Sequence, residues 1–191
     1  MKIYPKNNRF IKDVIESEEY KFVGHYPTVI DIGANIGTFS FWIYDMADEI
    51  FAIEPSEANI SNMEKTVKEN NLKKINVYQL AISNSNELKK MEVGGDPGKG
   101  GWRISGSGTY KVPCKTLKKF MDDNDIYYAD LVKMDVEGHE KEILEAPYFP
   151  HERIGTIIGE LHFGIHVEEI LTYMGYRYYK RVGDKFLARK A

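Results

Sequence analysis

Val29-Ile-Asp-Ile-Gly-Ala-Asn-Ile-Gly-Thr-Phe39 begins as an apolar run, stops abruptly at Gly33, and resumes after a second glycine, Gly37. A short, nearly continuous apolar run closed by a turn residue is the pattern of a strand buried on both faces, as in parallel sheets. Beyond the turn, residues 37–47 set Phe39, Trp42, Ile43 and Met46 on a common face and read as a helix. Glycine lets the backbone bend sharply and lets a ligand approach the main chain. The helix start behind it offers free N–H groups and a partial positive charge. The stretch therefore reads as strand, binding turn and helix.

Working outward, the same alternation continues. Ile50–Glu54 is a second apolar strand, and Pro55 and Ser56 open a helix that runs to about Asn70. Ile75–Ser83 reads as a third strand. After residue 115 come a helix over Leu117–Asn124, a buried strand over Ala129–Asp135, and a helix over Gly138–Ala146 stopped by Pro147. A strand over Gly155–His162 and a helix over Val167–Met174 follow. Tyr176–Arg181 and Lys185–Arg189, joined by a Val-Gly-Asp turn, have the spacing of an antiparallel hairpin. This order predicts an α/β fold on a mostly parallel sheet with right-handed crossovers. Phe10, Ile11, Val14, Ile15 and Phe22 predict a helix over residues 7–23. The organisation expected is an N-terminal helical segment, 1–27, and a single domain, 28–191.

Residues 84–113 interrupt the alternation. Seven glycines from Gly94 to Gly108, with Pro97 and Pro113, leave no room for a long regular element. Leu88–Val93 and Thr109–Cys114 are expected to pair as two short strands around a mobile loop, a glycine-rich insertion over 94–108. Trp102 and Arg103 in that loop combine an aromatic face and a cation suited to a sugar or an acidic substrate.

The bulk composition sets limits. The 191 residues suit one domain able to bury a full core. With 42% hydrophobic and 29% charged residues, the profile is that of a water-soluble globular chain, and a net charge of −3 argues against a broad nucleic-acid or membrane surface. Cys114 is the sole cysteine, so no internal disulfide forms. The first residues lack a signal peptide's apolar core, and no eighteen-residue apolar run is present. The location expected from these features is cytoplasmic.

The ligand follows from the acidic residues around the turn. A dinucleotide fingerprint would need glycine where Asp31 stands. A carboxylate there repels a pyrophosphate and attracts an ammonium group, directly or through water. S-adenosylmethionine carries an ammonium and a sulfonium and no phosphate, so Asp31 favours it over NAD. Glu54 ends the next strand twenty-one residues after Gly33, the spacing of a carboxylate that accepts both ribose hydroxyls. Gln79-Leu-Ala-Ile-Ser83 ends the third strand, which brings Ala81 to the expected adenine wall. Cofactor contacts are thus expected at Asp31, Gly33, Asn35, Gly37, Glu54 and Ala81.

Asp31-Ile-Gly-Ala-Asn-Ile-Gly37, Glu54-Pro55, Ala81-Ile-Ser83 and Val132-Lys-Met-Asp-Val-Glu-Gly-His-Glu140, in this order, resemble the FkbM family of methyltransferases. The resemblance covers roughly residues 28–162, and the Lys133–Glu140 block is its most specific part. It implies the Rossmann-like class I methyltransferase fold, a seven-stranded sheet ending in an antiparallel hairpin. It also implies S-adenosylmethionine as cofactor and methyl transfer to hydroxyl oxygens of small molecules or glycans. Family members often carry more structure before the position of Thr28. That points to an acceptor pocket left open or completed by a second copy of the chain.

The acceptor chemistry is expected at the carboxyl edge of the sheet. Asp135 and Glu137 share the turn closed by Gly138, and Glu160 and His162 fall on one face of the next strand. A hydroxyl acceptor needs orientation and a general base, roles open to Asp135, Glu137 or His162. The same three side chains also compose an oxygen-rich set suited to a divalent cation, although the base assignment needs none. Glu140 and Glu142 read as acids favouring a helix N-terminus. His166 reads as a surface residue. Cys114, after Val112-Pro113, precedes the strand that a cytosine-methylating cysteine would follow, and reads as a strand-edge residue. Met134-Asp-Val-Glu-Gly138 replaces the Asn/Asp-Pro-Pro-aromatic motif of base amino-methylation. Nucleic acid is therefore disfavoured as acceptor. The alternatives to the small-molecule reading are an RNA methyltransferase and a non-catalytic protein that binds S-adenosylmethionine.

Overall fold

Val29, Ile30 and Asp31 are fully buried and Ile32 nearly so, because strand β1 (Tyr26–Ile32) runs through the middle of the main sheet. The computed structural model describes residues 24–93, 101–162, 164, 166–180 and 183–191. The helix expected over 7–23 and the loop tip at 94–100 lie outside these residues.

Elements follow in the order helix α1 (Thr38–Trp42), strand β2 (Ala47–Ile53), helix α2 (Glu57–Asn70) and strands β3 (Ile75–Tyr78), β4 (Ala81–Ile82), β5 (Leu88–Val93), β6 (Trp102–Ile104) and β7 (Tyr110–Lys115). Helix α3 (Leu117–Asp123), strand β8 (Ala129–Met134), helix α4 (Glu140–Leu144), strand β9 (Ile154–Glu160), helix α5 (Glu168–Tyr173) and the hairpin β10 (Tyr176–Lys180) and β11 (Lys185–Lys190) complete it. Seven strands form the main sheet in the order β10-β11-β9-β8-β1-β2-β3. β1 pairs in parallel with β2 and β8, and β8 with β9. β11 runs antiparallel to both β9 and β10, so the expected hairpin closes the sheet.

Strand alternation divides the core between the two faces. Ile30, Ile32, Val132 and Met134 pack with Leu117, Phe120, Ile143 and Leu171 of α3, α4 and α5. Val29, Leu131 and Ile158 pack with Phe39, Phe41, Ile60 and Met63 of α1 and α2. Phe120 is fully buried and meets Tyr78 edge-on with ring centroids 5.0 Å apart. Its burial alone contributes about 1.5–3 kcal/mol. Helix α2 starts where the Ser56 side chain accepts from the Asn59 N–H, and ends at Asn71, whose φ of 53° is left-handed.

Three expectations are corrected. The helix over 37–47 stops at Trp42 and passes into a single 3-10 turn, Tyr44–Met46. The third strand divides after Tyr78: Ala81 and Ile82 leave the main sheet and pair with Cys114 and Lys115 of β7. Part of the glycine-rich insertion is ordered sheet, because β6 pairs with β5, which also pairs with β7. Arg103 sits in that added strand, where its guanidinium lies 2.7 Å from Glu92, and so is not a mobile-loop residue. The side chain of Trp102 lies outside the described set. Cys114 is buried in the small sheet beside Met91 and Val112, and burial pushes its thiol pKa up. In the terminal hairpin, Tyr176 is buried and its hydroxyl lies within hydrogen-bond distance of the carbonyls of His151 and Ile154. Tyr178 stacks on Phe186. These two aromatics pack the hairpin on the sheet. No helix among the described residues is long and apolar enough to cross a membrane.

Candidate active site

At the carboxyl ends of β1, β2 and β8 a pocket is lined by Gly33, Asn35, Glu54, Pro55, Asn59 and Ala81, with Asp135, Glu137 and His139 opposite. Met91 and Ile104 of the small sheet add an apolar wall. A parallel sheet creates such a crevice where neighbouring strands send their helices to opposite faces.

The turn at Gly33 is fixed from both sides. Gly33 and Ala34 donate their N–H groups to the Ile53 carbonyl, and Asp135 donates to the Ile32 carbonyl. At φ 75° Gly33 lies so close to β8 that a Cβ would stand 1.8 Å from the Asp135 carbonyl oxygen. Asn35, at φ 53°, then aims its N–H at Glu54 Oε2, 3.0 Å away. Glu54 Oε1 accepts from the Ser56 N–H at 3.0 Å and from Asn59 Nδ2 at 3.1 Å. Burial pushes the Glu54 carboxyl pKa up, and these three donors act against that rise. The carboxylate is thereby held in one orientation at the pocket wall, with lone-pair capacity beyond its three donors.

Asp31 and Gly37 stand outside the pocket lining. Asp31 is fully buried; its Oδ2 accepts from Ser40 at 2.7 Å and its Oδ1 lies 3.2 Å from Lys133 Nζ. Lys133 also donates to the Gly33 carbonyl at 2.8 Å and lies 3.6 Å from Asp135 Oδ2. Asp31 thus acts through Lys133, which ties the glycine turn to the Asp135 turn. Gly37, at φ 88°, starts α1 where a Cβ would press on Met63 and Phe41, so its need for glycine is one of backbone and packing. Replacing Lys133 by methionine leaves the Asp31 charge buried without its counter-ion. The expected loss is about 3–5 kcal/mol of stability, the usual cost of breaking a buried pair from one side. Urea unfolding measures it, and an unchanged midpoint would show that the ion pair carries no weight.

The second wall is a turn wrapped around a carboxylate. Glu137 and Gly138 have φ of 54° and 98°. The N–H groups of Val136 and Gly138 point to Glu140 Oε1, at 3.2 and 3.3 Å. Glu140 is fully buried, and the same oxygen lies 3.0 Å from His162 Nδ1. The other face of that imidazole meets the remaining acids: Nε2 is 3.8 Å from Asp135 Oδ1, 3.7 Å from Glu137 Oε2 and 4.0 Å from Glu160 Oε1. The hydrogen bond to Glu140, with the surrounding carboxylates, lifts the His162 pKa to about 9 against the effect of burial. The imidazole therefore holds its proton more tightly than a free histidine does. Glu137 is half-buried, and burial pushes its carboxyl pKa up. His139 lines the pocket and lies 2.9 Å from buried Ser83 Oγ; burial lowers its pKa and keeps it neutral.

The structure thus brings Gly33, Asn35, Glu54, Ala81, Asp135 and Glu137 to one pocket and sets His162 behind the last two. Sequence reasoning passed over His139 and Glu140. The block from Lys133 to Glu140 contains both. Glu140, however, resembles an ordinary helix-starting acid until His162, twenty-two residues on, is folded against it.

Comparison with known proteins agrees with this architecture. The family profile described as the methyltransferase FkbM domain matches residues 31–180. The hexuronic acid methyltransferase AglP of Haloferax volcanii is 24% identical over 142 residues, covering 73% of this chain and 58% of the relative. A crystal structure of methyltransferase FkbM from Methylobacillus flagellatus superposes over 95% of this chain and 48% of that one, with a TM-score of 0.65 and 15% identity. TrmK of M. capricolum, solved with S-adenosyl-homocysteine, superposes over 96% of this chain and 68% of that one, with a TM-score of 0.53 and 12% identity. The chain spans 58% and 48% of the lengths of the first two relatives.

Proposed function

Because the chain belongs to the FkbM methyltransferase family, we propose that it transfers a methyl group from S-adenosylmethionine to a hydroxyl oxygen of a small molecule or glycan. The observation that carries this reading is the pairing of two walls across one pocket: the Gly33–Asn35–Glu54 turn on one side, Asp135 and Glu137 on the other. The first wall suits the family's cofactor. Its close main-chain approach at Gly33 and its fixed Glu54 carboxylate fit a ribose with two hydroxyls. Ala81, Met91 and Ile104 offer an apolar surface for a base. Bound there, the cofactor supplies an electrophilic methyl group. The chain's own task is to hold the acceptor hydroxyl in line and to take its proton. Glu137 Oε2 faces His162, which leaves Oε1 for that proton, and protonated His162 steadies the carboxylates around it. The resemblance to a hexuronic acid methyltransferase supports a sugar acceptor.

Calorimetry with S-adenosyl-homocysteine and with NAD tests the first wall. Binding of the former and not the latter is expected, and the reverse result would remove the proposal. Turnover screened against sugar, polyketide, peptide and RNA acceptors, read as S-adenosyl-homocysteine formed, then identifies the substrate class. Methylation of RNA alone would replace the glycan reading. The absence of turnover with intact cofactor binding would favour a non-catalytic binding protein.

Replacing Glu54 by alanine removes the charge-assisted acceptor at the ribose position. The expected loss is about 1.5–3 kcal/mol of cofactor binding, or roughly 10- to 150-fold in affinity. The substitution also strands the Asn35 and Ser56 N–H groups, so glutamine at this position, which keeps a carbonyl acceptor, is expected to lose less. Unchanged affinity in the alanine variant, with a native circular dichroism spectrum, would show that Glu54 does not hold the ribose.

A further inference from the structure

We infer that Asp135, Glu137 and His162 form a binding site for one divalent cation, with Glu140 holding the imidazole from behind.

One ligand atom from each of the three side chains can be chosen so that all lie within 4.8 Å of one another. Nε2 of His162 stands 3.8 Å from Asp135 Oδ1 and 3.7 Å from Glu137 Oε2. These separations are too long for direct hydrogen bonds. They are the separations of atoms that share a cation. At metal–ligand distances of about 2.1–2.3 Å, neighbouring ligands sit about 3 Å apart and opposite ones about 4.2–4.6 Å apart. The observed pairs fall between these limits, so small side-chain rotations close the sphere.

Glu140 is the independent observation. A fully buried carboxylate is costly unless its charge is matched. Its Oε1 meets His162 Nδ1 and the turn amides, while Oε2 meets no hydrogen-bond donor among the described residues. A carboxylate on the far nitrogen of a histidine is the arrangement that fixes the tautomer and ring of a metal ligand, leaving the other nitrogen for the metal. Here that other nitrogen is Nε2, the atom facing Asp135 and Glu137. Glu160, 4.0 Å from Nε2, adds a further carboxylate at the rim. Around this imidazole stand the carboxylates of Asp135, Glu137 and Glu140, with Lys133 3.6 Å from Asp135, and a cation at Nε2 adds positive charge where these acids converge. As the cation binds, the Nε2 proton leaves to solvent.

The mixed oxygen and nitrogen set suits manganese or magnesium better than a thiolate-seeking metal. Asp135 and Glu137 line the cofactor pocket, so the cation's remaining positions face the place assigned to the acceptor. A hydroxyl oxygen bound there would lose its proton more readily. That purpose rests on the proposed methyl transfer; cation binding itself does not.

The test is titration of the full chain with Mn2+ alone, followed by the electron paramagnetic resonance signal of the free ion. Saturable binding of one ion per chain is expected. His162→Gln and Glu137→Gln should each weaken it at least about 10-fold, and Glu140→Gln, which touches no ion, about 10- to 100-fold. Glu142→Gln, at an exposed position of the same helix, should bind as the native chain does. S-adenosyl-homocysteine affinity measured on each variant shows that the pocket is still folded. The absence of saturable binding, or equal affinity in native, His162→Gln and Glu140→Gln chains, would overturn the site. Those results with cofactor binding intact would leave the methyltransferase reading standing. A chain that binds Mn2+ but no cofactor would fail that reading and keep the cation site.

Discussion

Gly33→Ala is expected to destabilise the fold by more than about 4–5 kcal/mol, or to abolish cofactor binding in whatever chain still folds. Two costs add. The residue has φ 75°, a left-handed conformation that costs an L-residue about 1–2 kcal/mol. The added Cβ would also stand 1.8 Å from the Asp135 carbonyl oxygen and 2.9 Å from its carbon. That overlap is with main chain, which cannot rotate away as a side chain can. The neighbours are fixed as well, because Gly33 donates to Ile53 across β2 and Asp135 donates to Ile32 across β1. Relief requires the ends of β1 and β8 to part, and that gap is where the two walls of the pocket meet. Gly37→Ala is the informative control. Its φ of 88° carries a similar backbone cost, but the added carbon meets Met63 Cγ and Phe41 Cζ, both at 2.8 Å. These are side-chain rather than main-chain atoms. Thermal melts and calorimetry with S-adenosyl-homocysteine should therefore separate the two, with Gly33→Ala much the worse. Equal stability and equal binding in both variants would mean that the glycine turn does not set the distance between the walls.

The central strands were legible because a strand buried on both faces is apolar at nearly every position. Local sequence alone reveals this at Val29-Ile30 and Leu131-Val132. The stop of α2 at Asn70-Asn71 was legible for a similar reason, since asparagine tolerates the left-handed cap. Pairing partners far along the chain were not. Nothing local distinguishes Ala81-Ile82 from the end of β3. The division appears only when Cys114 and Lys115, more than thirty residues on, draw those residues into the second sheet. Strand β6 hides for another reason: three residues among glycines carry no period that a pattern can show. At the site, residue types were readable but their partners were not. Asp31 reads from its charge as a contact for the cofactor's ammonium group, and the fold buries it beside Ser40 and Lys133. Its contact with Lys133 depends on the register that places β1 beside β8, Asp31 opposite Lys133. The same holds for His162, whose proton affinity is set by Glu140, a residue of another element.

Glu137→Ala is expected to lower kcat by about 10²–10⁴-fold on the true acceptor, the usual weight of a general base. Cofactor affinity should barely move, because the ribose and the glycine turn are held on the opposite wall. The argument rests on position and on proton affinity together. Glu137 lines the pocket, burial favours its accepting a proton, and the left-handed backbone at φ 54° presents it from the turn. Such a conformation costs a non-glycine residue about 1–3 kcal/mol and persists only where the surroundings impose it. Glu140 does so here, by binding the amides on either side of Glu137. Glu137→Gln keeps the shape and loses the proton acceptor, so its kcat should fall nearly as far as that of alanine. His162→Ala should also lower kcat, since it removes the imidazole beside the carboxylates and the partner of Glu140. Glu142→Ala, on the solvent side of the same helix, should leave turnover near native. Single-turnover rates with saturating cofactor separate chemistry from binding. If Glu137→Ala and His162→Ala each turn over the true acceptor at the native rate, proton transfer does not occur at this edge of the sheet. The search would then move to His139, the neutral imidazole on the same wall.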